Sequence, residues 1–154
     1  MSSEVLFAPA SQKQEMFINS QAFLTIFGGA SGSGKTYLSL MRFLFYVEEP
    51  NFVGYVFRKN ATDLKNGGGA FREAIKMFTA YDSRVKYTKQ PMCIYFPSGA
   101  TINFTGLDGE AGMNAIQGIQ ISAAMLDEST HFTEEEVMWI ISRLRTSANM
   151  NPCL

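Results

Sequence analysis

The chain has 154 residues, of which 46% are hydrophobic and 18% are charged, and its formal net charge is −1. This composition predicts one globular domain with an apolar core and excludes a disordered tail or two ordinary domains. No apolar run approaches the roughly 20 residues of a membrane-spanning helix, and the N-terminus lacks a secretory signal pattern, so no membrane partner is expected. Two cysteines and one histidine are too few for an ordinary Cys/His metal centre and fit a reducing cytosol. The near-neutral charge indicates that any DNA contact would come from a local patch or from several subunits together.

The first half of the chain predicts a strand, a loop, a helix and a second strand. Residues 23–27 (FLTIF) form a β-branched apolar run that ends at two glycines, which is typical of a buried strand. Residues 36–47 are apolar on most sides and predict a helix that ends before Pro50. Residues 53–57 (VGYVF) predict a second strand, which leads directly into Arg58.

The next segment predicts a helix followed by antiparallel strands. Residues 70–81 have helical spacing of apolar residues. Short alternating runs follow at residues 84–88, 93–96 and 101–104, and the last two flank a Pro-Ser-Gly turn at residues 97–99. Alternation around such a turn predicts a β-hairpin.

The last third of the chain predicts an irregular segment, a buried strand and a helix. Residues 106–118 are rich in glycine and polar side chains, and residues 119–126 are an apolar run that ends at an Asp-Glu pair. Thr133 is the expected N-cap of a helix through Arg145, with Glu136 as its capping-box partner. Strands that alternate with helices predict an α/β domain with a mostly parallel sheet, whose ligand lies beyond the carboxyl ends of the strands.

Residues 29–36 match the phosphate-binding (Walker A) pattern G-x-x-x-x-G-K-S/T completely. Glycines let several backbone N–H groups point at one anion, and the following helix adds its positive N-terminal end. The lysine of this pattern reaches the β and γ phosphates, and the threonine hydroxyl is a ligand of Mg²⁺. The alternative is an ordinary glycine-rich turn, but a chance match in such a chain occurs on the order of once in a hundred cases. The predicted ATP-binding residues are Gly29, Ala30, Ser31, Gly32, Ser33, Gly34, Lys35 and Thr36.

Asp127 and Glu128 follow the predicted strand at residues 119–126. Asp127 is in the position of a Walker B aspartate, which holds Mg²⁺, and Glu128 could orient or deprotonate an attacking water. The alternative is a polar cap that leads into the next helix. After a complete phosphate loop, we favour an ATPase with a catalytic carboxylate.

The ordered set of motifs resembles the ATPase domain of the large terminase subunit of tailed bacteriophages, over nearly the whole chain. The similar segments are FAPASQKQEMFINS, GGASGSGKTYLSL, VGYVFRKNATDL, IYFPSGATINFTG, NAIQGIQ, MLDEST and SRLRTS. The resemblance implies a P-loop NTPase fold of the RecA-like (ASCE) type with an inserted β-hairpin. It also implies that Gln14, or in reserve Gln12, contacts the adenine.

This resemblance implies an ATP-driven motor that packages double-stranded DNA into a procapsid in the host cell cytoplasm. The implied partners are DNA, the portal protein, the small terminase subunit and further copies of the chain in a ring. The family's C-terminal nuclease domain and its coupling-motif strand have no counterpart in these 154 residues, so we expect residues 1–154 to be an incomplete N-terminal ATPase domain.

One departure from the family concerns the arginine that stabilises charge during hydrolysis. Many large terminases place an arginine near the glycine matched by Gly118, where this chain has Gln117, or inside the phosphate loop. The candidates here are Arg58, Arg143 and Arg145, or an arginine of a neighbouring subunit. Solvent-exposed structural roles are favoured for Arg143 and Arg145, whereas the two interpretations of Arg58 are evenly weighted.

Two other functions stay open from the residues alone. A helicase-like or RecA-like ATPase would depend on single-stranded nucleic acid, whereas packaging would depend on duplex DNA and the portal. A nucleotide-binding assembly module would bind ATP without releasing phosphate.

Overall fold

The structure is a computed structural model that describes residues 7–29 and 32–154. The helices and strands within these ranges are α1 (Gln12–Ile18), α2 (Lys35–Phe43), β1 (Val53–Arg58), α3 (Ala61–Lys65), α4 (Ala70–Tyr81), β2 (Lys86–Lys89), β3 (Met92–Tyr95), β4 (Thr101–Gly106), α5 (Gly109–Ala115), β5 (Ala123–Leu126) and α6 (Glu134–Ile141). No helix in the described part of the chain is long and apolar enough to cross a membrane.

The five strands form one mixed sheet in the order β2-β3-β4-β1-β5. Strands β4, β1 and β5 are parallel, whereas β2, β3 and β4 form an antiparallel meander. The predicted hairpin is therefore confirmed as β3–β4, and the sheet is less parallel than expected. The reason is connection length, because turns of a few residues can join only antiparallel strands.

Apolar side chains alternate between the two faces of the sheet, so helices cover both. On β1, Val56 joins the larger core with α2 and α4, whereas Tyr55 and Phe57 join a second core with α6. This alternation follows from the two-residue period of a strand. The result is an α/β domain in which β1 is buried on both sides.

The most periodic helices agree best with expectation. Helix α4 has the predicted bounds, and Phe71 and Phe78 on its apolar side are buried. The predicted capping box of α6 is confirmed, since Thr133 and Glu136 exchange both hydrogen bonds, although the helix ends at Ile141 rather than Arg145. Helix α2 ends at Phe43, and the chain then forms turns toward Pro50.

The predicted buried strand at residues 23–27 is wrong, because no strand forms there in the described chain. Phe23, Leu24 and Ile26 are 48%, 46% and 80% exposed. The apolar run was expected to lie inside the sheet, but too little of it meets a neighbouring strand.

Backbone pairing shows why the segment remains irregular. The Leu154 N–H donates to the Phe23 carbonyl at 2.8 Å, and the Thr25 N–H donates to the Leu154 carbonyl at 3.0 Å. On the other side, Cys153 forms a parallel bridge with Ala123 of β5. Residues 23–27 therefore pair with Leu154 through two backbone hydrogen bonds, and a pairing this short does not make a strand.

Three short helices were not predicted. The irregular segment expected over residues 106–118 contains α5, a helix with no buried side chain. Helix α1 begins at the N-cap Ser11, and α3 begins at the N-cap Asn60, whose side chain accepts from the Thr62 N–H. These helices have five to seven residues, so local caps and packing decide them more than periodicity does.

Candidate active site

The candidate site lies where the parallel strands β1 and β5 end side by side. Phe57 of β1 is in register with Leu126 of β5, and the Asp127 N–H continues the ladder to the Phe57 carbonyl at 2.9 Å. This pairing places Arg58 and Asp127 next to each other. It is the edge of the sheet at which the sequence predicted a ligand.

The glycine-rich loop precedes α2, and its Ala30 and Ser31 lie outside the described residues. Gly32 and Gly34 have φ angles of 79° and 76°, a region that side-chain-bearing residues rarely adopt. Gly34 is the N-cap of α2, so the loop meets the positive end of that helix.

Lys35 folds back over this loop. Its Nζ donates to the Gly29 carbonyl at 2.7 Å and to the Ser33 Oγ at 3.3 Å. The ammonium group therefore lies beside the Gly29 backbone and the Ser33 side chain of the loop. An anion held by the loop would meet that ammonium directly.

The loop and the acidic pair meet through a direct hydrogen bond. The Thr36 hydroxyl donates to Asp127 Oδ1 at 3.0 Å, although 91 residues separate them in sequence. Asp127 is 7% exposed. Residues that were predicted from two distant motifs thus form one cluster.

Arg58 binds both acids of the pair. Its NH1 donates to Asp127 Oδ2 at 2.9 Å, and its NH2 lies 2.7 Å from Glu128 Oε1. Glu128 also lies 3.3 Å from the Nδ1 of His131 and has a φ of 57°, which is left-handed for a residue with a side chain. The contacts of the Glu128 carboxylate therefore hold the backbone of this residue in a strained conformation.

Gln14 contacts the glycine-rich loop. Its Nε2 donates to the Ser33 carbonyl at 3.3 Å, and its Oε1 accepts from the Ala10 N–H at 2.6 Å. Gln12 is exposed at the start of α1. Of the two candidate glutamines, Gln14 is therefore the one beside the predicted phosphate loop.

The two other candidate arginines follow α6. The Arg143 guanidinium stacks over the Trp139 ring, with its carbon 4.5 Å from the ring centroid. Arg145 is exposed, and its backbone N–H pairs with the Ile121 carbonyl. Arg145 therefore lies at the surface, as the sequence interpretation expected for both arginines, whereas Arg143 is half-buried against Trp139 rather than solvated.

The sequence did not predict a second ionic cluster beside the first. The Glu136 carboxylate, 4% exposed, accepts from Lys59 Nζ at 2.6 Å, from the Thr133 N–H at 2.9 Å and from the Gly109 N–H at 3.2 Å. Lys59 also lies 3.7 Å from Asp108. The Arg-Lys pair at the end of β1 was the available signal, but only the fold shows that the two cations face different acids.

Charge and burial act on Glu136 in opposite directions. Burial raises the pKa of its carboxyl, but the hydrogen bonds from Lys59, Thr133 and Gly109 outweigh burial and lower that pKa below its ordinary value. The hydrogen bond to Glu136 raises the pKa of Lys59. Both groups are therefore charged at neutral pH.

The donor set beside the loop suits Mg²⁺. Thr36 and Asp127 offer a hydroxyl and a carboxylate, both hard oxygen donors. Among the described residues, no group of three or more His, Cys, Asp or Glu side chains could hold a metal. A cation bound here would take its other ligands from water or from a bound phosphate, which is how Mg²⁺ usually binds.

Comparison with solved structures identifies the class of fold. The chain is similar to the large terminase of a thermophilic bacteriophage, with a TM-score of 0.71 and 19% identity over 91% of this chain and 37% of that one. The same phage protein in complex with ADP matches with a TM-score of 0.66 and 20% identity, over 88% of this chain and 36% of that one. Its complex with ATP-gamma-S matches with a TM-score of 0.63 and 19% identity, over 93% and 36%. The fold is thus that of a large terminase ATPase domain, and the chain spans little more than a third of those proteins.

The sequence identifies the family. The model of the family "Terminase large subunit, T4likevirus-type, N-terminal" matches residues 26–152. The chain therefore belongs to this terminase family. No curated protein matches it.

Proposed function

We propose that this chain is the ATP-hydrolysing motor domain of a large terminase subunit. The observation that carries the proposal is the 3.0 Å hydrogen bond from Thr36 Oγ1 to Asp127 Oδ1, which joins the glycine-rich loop to the acidic pair. The complexes of the thermophilic phage terminase with ADP and ATP-gamma-S support nucleotide binding at the level of the family. The family assignment supports the packaging role.

The loop binds the triphosphate in this proposal. Its backbone N–H groups and the N-terminus of α2 face the phosphates, and the Lys35 ammonium neutralises the β and γ groups. Ala30 and Ser31 complete the loop. Gln14, already hydrogen-bonded to Ser33, contacts the adenine from the end of the loop.

Thr36 and Asp127 would hold Mg²⁺, and Glu128 orients the attacking water. When bound, the metal would neutralise negative charge on the phosphates. Asp127 pairs with Arg58 at 2.9 Å, and Glu128 accepts the proton of the water as a general base.

Arg58 has a second role beside the acids. In this structure its NH2 pairs with Glu128 Oε1 at 2.7 Å, which leaves Glu128 Oε2 as the oxygen that faces the water. When that pair opens, the guanidinium lies at the edge of the site, where it can stabilise negative charge on the transferring phosphoryl group. Arg58 thus serves as the charge-stabilising arginine of this domain.

The wider proposal follows the family. Residues 1–154 form an N-terminal ATPase domain that drives double-stranded DNA into a procapsid in the host cytoplasm. The domain works with the portal protein and the small terminase subunit, as one member of a homo-oligomeric ring. Nuclease activity belongs to another part of the large subunit.

Steady-state phosphate release tests these roles. Lys35→Ala and Glu128→Gln should each lower the rate by about 10²-fold or more, because one removes the phosphate contact and the other the base. Glu135→Gln, which neutralises an exposed glutamate of α6, is the matched control and should keep the wild-type rate. Unimpaired hydrolysis in Glu128→Gln would remove the role of that residue.

A second candidate is a nucleotide-binding assembly module without turnover. The contacts that favour it are the two ion pairs by which Arg58 neutralises Asp127 and Glu128 together in this structure. This function predicts thermal stabilisation by ATP with no phosphate release at any protein concentration. Measurable release that Lys35→Ala abolishes would exclude it.

A further inference from the structure

The near-neutral net charge hides a strong asymmetry along the chain. Residues 58–92 hold eight of the 13 basic residues and three of the 14 acidic ones. That segment therefore carries a formal charge of +5, and the rest of the chain carries −6. The basic segment comprises the end of β1, helices α3 and α4, and strand β2 at the edge of the sheet.

The lysines at this edge differ from four of the other five cations of the segment. Arg58, Lys59, Lys76 and Arg84 each have an acidic partner within 4 Å. Within residues 7–29 and 32–154, no ion-pair partner is found for the exposed lysines Lys65, Lys86 and Lys89. Their positive charge is therefore directed to solvent or to a bound partner.

Two of these lysines line one concave site. A cavity of about 230 Å³ lies between Lys65 at the end of α3 and Lys89 at the end of β2, with Gln90 and Thr105 in its wall. A larger cavity of about 540 Å³ adjoins it and includes Lys59. The two cavities share Ala61 and Gly106, so they form a continuous groove past the end of β4.

The groove is built from cations, amides, hydroxyls and backbone. Asp108 is the one carboxylate in the walls of these two cavities, and Lys59 lies 3.7 Å from it. The aromatic ring in the wall belongs to Phe104, which is 3% exposed. The groove can therefore hold an anion, but it offers no exposed ring on which an unstacked base could lie.

We propose that the groove bounded by Lys65 and Lys89 binds the phosphodiester backbone of a nucleic-acid duplex. Unpaired lysines recognise phosphates by charge, and the absence of an exposed ring in the cavity walls favours a duplex over single strands. The groove begins at Lys59, next to Arg58 of the nucleotide site, so bound duplex would lie beside the ATPase centre. The inference rests on the proposed function and names the surface on which that motor holds its substrate.

Binding of a short fluorescent DNA duplex, followed by anisotropy across a range of salt concentrations, tests the surface. The variant is Lys65→Ala/Lys89→Ala, and the matched control is Lys13→Ala/Lys76→Ala, which removes the same charge from α1 and from an ion pair on α4. Each phosphate contact contributes about 0.9 to the slope of log affinity against log salt, so the first variant should lose about 1.8. If the two proteins converge at about 1 M salt, that variant binds about 60-fold more weakly at about 0.1 M. The control should keep the wild-type slope.

Three outcomes overturn the proposal. Equal loss of affinity in both variants would show that net charge, not this groove, attracts DNA. Tighter binding of single strands than of duplex would contradict the duplex assignment. A change of oligomeric state in Lys65→Ala/Lys89→Ala with unchanged duplex affinity would assign the surface to a second copy, whose α6 presents the acidic residues Glu134 and Glu135.

Phosphate release separates this inference from the proposed function. No hydrogen bond or ion pair joins Lys65 or Lys89 to the acidic pair or to the described residues of the glycine-rich loop, so both variants should hydrolyse ATP at the wild-type rate without DNA. Loss of DNA binding with intact hydrolysis supports the groove. Intact DNA binding with no ATP hydrolysis in the wild type would instead refute the proposed motor function.

Discussion

Removal of the Glu136 carboxylate tests how far one buried acid holds the region around the site. The substitution Glu136→Ala leaves two backbone N–H donors, those of Thr133 and Gly109, without their charged acceptor. Each hydrogen bond to a charged group contributes about 1.5–3 kcal/mol, so the free energy of unfolding should fall by about 3 kcal/mol or more. Lys59 adds nothing to this sum, because its ammonium can return to water.

Urea unfolding of Glu136→Ala measures that loss. The matched control is Glu135→Ala, which removes an exposed carboxylate from the same first turn and should change stability by about 0.5 kcal/mol or less. In thermal unfolding, a loss of about 3 kcal/mol corresponds to a fall in Tm of about 6–12 °C for a domain of this size. A loss in Glu136→Ala no greater than in Glu135→Ala would refute the assignment of Glu136 as the anchor of α5 and α6.

The pH dependence supplies an independent readout. Because the folded-state pKa of Glu136 lies below its ordinary value of 4.5, its ionised form stabilises the protein above about pH 4.5. That contribution disappears as the pH falls through the lowered pKa. The stability difference between the wild type and Glu136→Gln should therefore be constant near neutral pH and should shrink in acid. A difference that grows in acid would contradict the sign of the shift.

Two further pairs of variants test local geometry by urea unfolding. Because Glu128 has a φ of 57°, Glu128→Gly should be more stable than Glu128→Ala by about 1 kcal/mol, the reverse of the usual order; equal stability would show that no strain is stored there. At Gly69 an added Cβ would overlap the Leu64 carbonyl oxygen, so Gly69→Ala should lose about 1–3 kcal/mol. Gly67→Ala, which meets no atom within 4 Å, should change stability by less than about 0.5 kcal/mol, and a similar loss at both positions would refute the packing argument.

Most of the fold that could be predicted from the sequence lies in segments whose apolar residues are periodic. Helix α4 repeats apolar residues at helical spacing over its whole length, and its bounds agree with expectation at both ends. The hairpin β3–β4 has a turn whose Gly99 adopts a φ of 102°, which glycine permits readily. In such segments the local sequence and the tertiary packing favour the same structure.

Other segments depend on neighbours that the sequence does not show. The apolar run at residues 23–27 has the composition of a strand, but a strand needs a partner, and here pairing extends only to Leu154. Helix α5 buries no side chain, so it leaves no apolar period to detect. It is instead held at its first residue by Glu136, a contact between residues 27 apart.

The candidate site likewise has a part that the sequence predicts and a part that only the fold shows. The loop at residues 29–36 and the pair Asp127-Glu128 each have a local pattern that predicts a role, and the structure brings Thr36 and Asp127 together. The contacts of Arg58 required the parallel register of β1 with β5, which fixes which strand ends are neighbours. Lys59 and Glu136 carry no motif that predicts their contact, so only the fold shows their pairing.

The most direct test of the central claim is whether one Mg²⁺-linked nucleotide engages Lys35 and Asp127 together. Thermal unfolding is measured with a non-hydrolysable ATP analogue, with Mg²⁺ or with a chelator, for the wild type, Lys35→Ala, Asp127→Asn and the control Asp82→Asn, which neutralises the C-cap of α4. At a ligand concentration of about 100 Kd, binding stabilises by about 2.7 kcal/mol, which raises the Tm of the wild type and of Asp82→Asn by about 5–10 °C with Mg²⁺. Lys35→Ala should lose most of that increase, and Asp127→Asn should lose its dependence on Mg²⁺. Full stabilisation of Lys35→Ala, or an unchanged Mg²⁺ effect in Asp127→Asn, would contradict the account.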